Sequence, residues 1–172
     1  MSRTNYSSGY GIRAGHKSYG QKQRRINHTE DSFRCCHCNM IMGRNPSMGT
    51  AHRNHCTLCL WSMHVDIRQG DRKSSCYGRM TPIGLTYKNA GFDKYGNRRI
   101  GDIMLIHKCQ KCGDYNINRI AADDTCAEII DVYKRSLSLT ESMRNDLQRE
   151  DIYLLGPEDS ENLRISLFGR SS

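Results

Sequence analysis

The sequence predicts a small α+β fold in which zinc-ribbon-like β-hairpins are stapled by metal, with a flexible basic N-terminal arm and C-terminal helices. Three observations predict it. Cysteines recur as Cys-x-x-Cys pairs, Cys35–Cys38, Cys56–Cys59 and Cys109–Cys112, with Cys76 between the last two pairs. Only 37% of residues are hydrophobic, so an apolar core alone would be thin and would need a staple. Helical periodicity is confined to the stretch after residue 126.

At 172 residues the chain has room for one domain with extensions, or for two very small ones. No apolar run approaches the roughly 20 residues of a membrane helix, and no signal-peptide core is present. The expected location is therefore the reducing cytoplasm, with no membrane partner, where paired cysteines serve as metal ligands rather than disulfides.

Residues 1–32 read as the arm. Gly, Ser, Tyr, Asn and Gln dominate, with Arg3, Arg13, Lys17, Lys22, Arg24 and Arg25 and no acid before Glu30. Nothing here repeats with a helical or strand period, so it cannot fold alone. Tyr6, Tyr10 and Tyr19 lie among the cations, a composition suited to stacking on bases while Arg and Lys meet phosphates. An organelle transit peptide would share the acid-poor composition but needs an amphipathic apolar face, which is missing.

Residues 33–126 form the cysteine-bearing unit. Gln69-Gly70-Asp71-Arg72 marks a turn ahead of Cys76, Met80–Tyr87 reads as a strand, and Gly91–Asn97 as a hairpin loop. The apolar run Ile103–Ile106 is a second strand, leading directly into His107-Lys108-Cys109. In residues 127–172, Thr125 with Glu128 suggests a capping box for a helix that packs Ile129, Ile130, Tyr133 and Leu137. Ser138 with Glu141 suggests a second helix packing Leu139, Met143 and Leu147 and ending at Gly156-Pro157.

A Cys-x-x-Cys turn presents two thiolates to one ion at roughly 2.3 Å. Cys35–Cys38 and Cys56–Cys59 are separated by 17 residues, within the spacing of a four-cysteine zinc site. Cys76, Cys109 and Cys112 supply three more thiolates and need a fourth ligand, for which His64, His55 and His107 are available. His64 is preferred because it lies outside the tight knuckles. Spacing alone also permits the knuckles to exchange partners between sites. Cys36 reads as a bystander and Cys126 as a small buried residue. Two zinc ions are thus expected, each in a closed structural site.

The net charge of +8 is uneven. Residues 1–126 carry 20 Lys/Arg against 9 Asp/Glu (+11), and residues 127–172 carry 6 against 9 (−3). A basic front with an acidic tail suits a polyanion partner. Arg53 and the Arg98-Arg99 cluster join the arm as expected nucleic-acid contacts. Catalysis by zinc needs an open position for water and a general base. His64-Val65-Asp66 and Asp123-Asp124 offer the residue types for a nuclease, but sulfur-rich sites leave little Lewis acidity.

Arg53-Asn54-His55-Cys56, Cys59-Leu60-Trp61-Ser62 and His64-Val65-Asp66 together resemble the signature of the RNHCP domain family, which is named from that motif. The likeness continues through Gly70-Asp71-Arg72, Cys76, Met80-x-Pro82, His107-x-Cys109-x-x-Cys112-Gly113 and Asn118–Asp124, covering roughly residues 33–135. Thr57 departs from it, standing where the family's pattern has proline. The resemblance implies a small zinc-binding domain and no particular activity. The reading favoured on all these features is a non-enzymatic, zinc-stabilised RNA-binding protein, ribosomal or ribosome-associated, with ribosomal RNA and neighbouring ribosomal proteins as partners and no small-molecule substrate. The alternatives are the nuclease, a DNA-binding regulator, and a protein adaptor that docks through its acidic helices.

Overall fold

The structure, a computed structural model, describes residues 32–169 apart from 44–45, 49–52, 69 and 97. In chain order the strands are β1 (Ser32–Arg34), β2 (Ile41–Gly43), β3 (Ser62–Met63), β4 (Arg79–Phe92), β5 (Arg98–Cys109) and β6 (Tyr115–Arg119). The helices follow: α1 (Cys126–Ser136), α2 (Glu141–Arg149) and α3 (Ser160–Phe168), with a short 3-10 turn at Pro157–Asp159 leading into α3. Apart from Ser32, the expected arm and its cations Arg3, Arg13, Lys17, Lys22, Arg24 and Arg25 lie outside the described residues.

β4 and β5 form a long antiparallel hairpin at the centre of a four-stranded sheet ordered β3-β4-β5-β6, while β1 and β2 make a separate two-stranded ribbon. The register sets Met80 opposite Cys109, Leu85 opposite Leu105 and Tyr87 opposite Ile103. Pro82 has no N–H for a ladder bond, and the register shifts between it and Gly84. The run Ile103–Ile106 is buried at every position, as suits a strand covered on both faces.

One apolar cluster joins sheet to helices. Leu85, Ile103 and Leu105 meet Ile129, Val132 and Tyr133 of α1, with Leu155, Leu163 and Leu60. Helices α1 and α3 therefore share the core of the cysteine-bearing unit. A second, smaller cluster of Met42, Cys35 and Cys56, with Phe33, Cys59 and Trp61 against it, sits beneath the β1–β2 ribbon. No helix among the described residues is long and apolar enough to cross a membrane.

Several local expectations are corrected. α1 buries Val132 and Ser136 beside Ile129 and Tyr133, while Leu137 is exposed, because the helix rolls its 132/136 edge onto β4. Thr125 is its N-cap without a side-chain cap bond, and Glu128 pairs instead with Arg135 at 3.1 Å. The second helix is capped by Thr140, which accepts from the Met143 N–H, rather than by Ser138. Gly156-Pro157 opens the next helical segment instead of closing this one: the Gly156 N–H donates to Asp159, and proline is tolerated at a first helical position. Cys126 is half-buried.

Candidate metal centres

All three Cys-x-x-Cys pairs adopt one backbone design. In each, the first cysteine's N–H donates to the carbonyl five residues on, and the N–H four residues on returns to that cysteine's carbonyl. The pairs of bonds are Cys35→Met40 at 2.8 Å with Asn39→Cys35 at 3.2 Å, Cys56→Trp61 at 2.9 Å with Leu60→Cys56 at 2.9 Å, and Cys109→Asp114 at 2.8 Å with Gly113→Cys109 at 3.1 Å. Closing the turn puts its fifth residue in the left-handed region: Asn39 at φ 63°, Leu60 at 58° and Gly113 at 87°. Asn and Gly reach this region easily, but a leucine there costs about 1–2 kcal/mol. Leu60 is fully buried in the main core, which offsets that cost and ties the second knuckle to the sheet.

The first two knuckles converge. Cys35 Sγ stands 3.5 Å from Cys59 Sγ, and Cys38 Sγ stands 3.6 Å from Cys56 Sγ. The four ligand atoms of Cys35, Cys38, Cys56 and Cys59 lie within 4.8 Å of one another. The second set is His64, Cys76, Cys109 and Cys112, again within 4.8 Å, with His64 Nδ1 3.2 Å from Cys112 Sγ and Cys76 Sγ 3.7 Å from Cys109 Sγ. Sulfurs tetrahedral about an ion at roughly 2.3 Å would be about 3.8 Å apart, close to these spacings, whereas a disulfide needs about 2.05 Å. The nine cysteines are free. The donor sets, four sulfurs and three sulfurs plus an imidazole, fit zinc in closed four-coordinate sites. The two clusters can hold two zinc ions.

The backbone prepares the sulfurs for this. The N–H groups of His37 and Lys111 each lie 3.4 Å from the first sulfur of their knuckle, Cys35 and Cys109. Burial opposes ionisation of Cys109, but N–H groups of Cys112 and Lys111, with the neighbouring Cys112 and His64 side chains, bring its thiol down to about 6. Cys36 shows the opposite. Burial, reinforced by Cys35, pushes it up to about 11, and its thiol donates to the Ser62 carbonyl at 3.2 Å. It stays outside the ligand set although it lies between two ligands in sequence.

His64 and Cys76 reach the second site on a loop organised by Asp71, whose carboxylate accepts the N–H groups of Ile67, Arg68 and Lys73. The His64 N–H donates to Gly78 O at 2.8 Å and the Tyr77 N–H to His64 O at 3.0 Å, closing the loop's base. A Cβ at Gly78 would stand 2.5 Å from Cys109 Sγ, so only glycine lets the loop pass so close to the ligand.

Between the clusters lies a buried polar network. Arg53 Nη1 donates to Asp124 Oδ1 at 2.9 Å, and its other terminal nitrogen to Asp123. His55 Nε2 lies 2.7 Å from Asp124 Oδ2, which also accepts the Ala121 N–H at 2.8 Å. Burial raises the Asp124 carboxyl, but His55, the Ala121 N–H and Arg53 outweigh it and hold it below the usual range. Asn54 Nδ2 donates to Asp66 at 2.8 Å and approaches Asn118 Oδ1 at 3.4 Å. His107, wholly buried and driven down to about 3 by that burial, is neutral. Its Nε2–H donates to the Leu60 carbonyl at 2.6 Å and its Nδ1 accepts from Asn118 at 3.0 Å.

This accounts for the tripeptide before Cys56. Arg53, Asn54 and His55 all turn inward and link the knuckle to the loop before α1 and to β5–β6. Residues 30–130 match the family model described as the RNHCP domain. The chain belongs to the RNHCP domain family. No curated protein and no solved structure matches it. In this RNHCP domain the signature is thus divided between zinc ligands and the groups that hold them in register.

The structure brings together every cysteine and histidine expected as a ligand. Of the histidines weighed for the fourth ligand of the second site, His55 and His107 belong to the network instead. Arg53 corrects the expected nucleic-acid contacts: it is buried because two carboxylates neutralise it, and it has no surface to offer. Arg99 is exposed on β5, the strand that also carries Arg98. Asp66 and Asp124, considered for nuclease chemistry, are buried and occupied by these partners. Sequence reasoning missed the inward network. Its signal was three consecutive strongly polar residues directly before a ligand, in a stretch otherwise rich in core-forming side chains.

Proposed function

We propose that this RNHCP-domain protein is a non-enzymatic, zinc-stabilised RNA-binding protein, ribosomal or ribosome-associated, built as a zinc-ribbon-like globule with a basic N-terminal arm. What carries the reading is that a domain whose metal positions are filled by its own side chains bears a charge of +11 on residues 1–126. With four protein ligands in each set, zinc would fix shape rather than activate water. Bound zinc supplies cross-linking between segments distant in sequence. The chain's own residues supply the thiolates, the N–H groups that support them, and the cations that meet the polyanion.

Each Lys or Arg that neutralises a phosphate releases counterions, giving a salt slope near −0.9 per contact on a duplex and about −0.7 on a single strand. Shape and backbone contacts suit a folded RNA better than base reading does. A helix presented to the DNA major groove finds less support, since the helices lie in the acidic stretch. The test is sedimentation of extracts containing the tagged full chain. Co-migration with a ribosomal subunit through moderate salt is expected. A chain that stays at the top of the gradient at low salt would refute the reading.

A further inference from the structure

The β4–β5 hairpin extends past everything that covers it. β6 pairs only with residues 104–108 of β5, and β3 only with residues 79–80 of β4. The last core contacts along the hairpin are at Tyr87 and Ile103. Beyond them no described side chain is buried, and Tyr95 is 76% and Ile100 69% exposed. With eight residues from Lys88 to Tyr95, this bare two-stranded ribbon is about 20 Å long. An isolated hairpin of this kind is at best marginal in water, so nothing in the domain's own stability calls for it.

Its chemistry is one-sided. Residues 88–101 carry Lys88, Lys94, Arg98 and Arg99 against the single acid Asp93. Asp93 is used in the turn, where its carboxylate accepts the Tyr95 N–H at 2.8 Å. The next acid, Asp102, lies 3.6 Å from Arg119. At the tip, Lys94 Nζ stands 4.9 Å from the centre of the exposed Tyr95 ring, joining a cation and a stacking face. Gly101 is needed at the ribbon's base, because a Cβ there would stand 2.3 Å from the Lys88 carbonyl.

We infer that this ribbon is an RNA-binding element, with Lys88, Lys94 and Arg99 on backbone phosphates and Tyr95 stacked on an unpaired base. The inference rests on the function proposed above and assigns to the folded domain a contact separate from the arm. Cations on a narrow ribbon can follow a phosphate backbone, and aromatic stacking takes any base exposed in a loop.

The experiment uses the zinc-loaded full chain and a labelled RNA stem-loop with an unpaired loop, titrated across a range of salt. A fully paired DNA of the same stem and vesicles of mixed anionic and neutral phospholipid serve as the other probes. Lys88→Gln/Lys94→Gln/Arg99→Gln is expected to flatten the salt slope by about two to three. Tyr95→Ala should weaken stem-loop binding about tenfold and leave the slope unchanged. Both should retain wild-type zinc content and Trp61 fluorescence, and Arg164→Gln on α3 should bind as wild type does. If wild type binds the stem-loop and the triple variant matches it in affinity and slope, the ribbon assignment falls and the proposed function stands. If wild type does not bind RNA, both fall. Preference for the paired DNA or the vesicles over the stem-loop would also overturn the assignment.

Discussion

Replacing Asp124 by alanine removes the carboxylate on which the inward network converges. It would leave Arg53 with Asp123 alone, the Ala121 N–H without its acceptor, and His55 with neither ring nitrogen partnered, since Nδ1 has no partner among the described residues. Uncoupling a buried ion pair from one side costs about 3–5 kcal/mol. Asp123 is the internal control: its side chain is 32% exposed, against 0% for Asp124, so solvent can replace its bond and Asp123→Ala should cost only about 1 kcal/mol. The pH of the assay follows from the sign of the shift. The folded Asp124 carboxyl titrates below its unfolded value, so its contribution is complete above about pH 4 and is lost as pH falls through the folded value. Urea denaturation at pH 7, with free zinc buffered and Trp61 emission as the signal, measures it in full. Equal losses for the two variants, or an Asp124→Ala loss under about 1 kcal/mol, would show that the network does not hold the knuckles.

Other perturbations separate ligands from neighbours. Cys56→Ser should reduce zinc from two ions to one and melt the β1–β2 lobe, since a structural zinc site holds about 10–16 kcal/mol of coupled binding and folding; a two-zinc variant by elemental analysis would contradict the first site. Cys36→Ser should keep both ions, because its thiol faces the Ser62 carbonyl. Loss of an ion there would move Cys36 into the ligand set. Gly78→Ala should weaken the second site by about 10- to 100-fold through the close approach to Cys109, leaving the first unchanged. Competition with a colourimetric chelator would resolve the two sites.

The metal sites were legible because thiolate chemistry is local. A Cys-x-x-Cys turn needs only its own backbone to aim two sulfurs, so spacing identified the knuckles and put the first two within reach of one site, while which knuckles share an ion depends on the fold that brings them together. The strands around Met80–Tyr87 and Ile103–Ile106 were legible from apolar runs, although β4 extends further, to Phe92. What the sequence hid depends on contacts distant along the chain. Arg53 looks like any surface cation until Asp123 and Asp124, some 70 residues away, are folded against it. Leu60 shows no sign of a left-handed backbone, because the knuckle imposes it and the core accepts it. Helix α3 was missed because Gly156-Pro157 reads as a stop, whereas Asp159 makes it a start. The short β6 was hidden because Tyr115–Arg119 alternates only weakly and finds its place from pairing with β5.

The central claim is that ions held by thiolates fix this domain's shape. Native mass spectrometry of the purified full chain, paired with elemental analysis, tests it most directly. The account predicts two zinc ions per chain, released together with loss of the folded charge-state distribution when a strong chelator is added. A folded protein that carries no metal, or one whose cysteines are joined as disulfides, would contradict it.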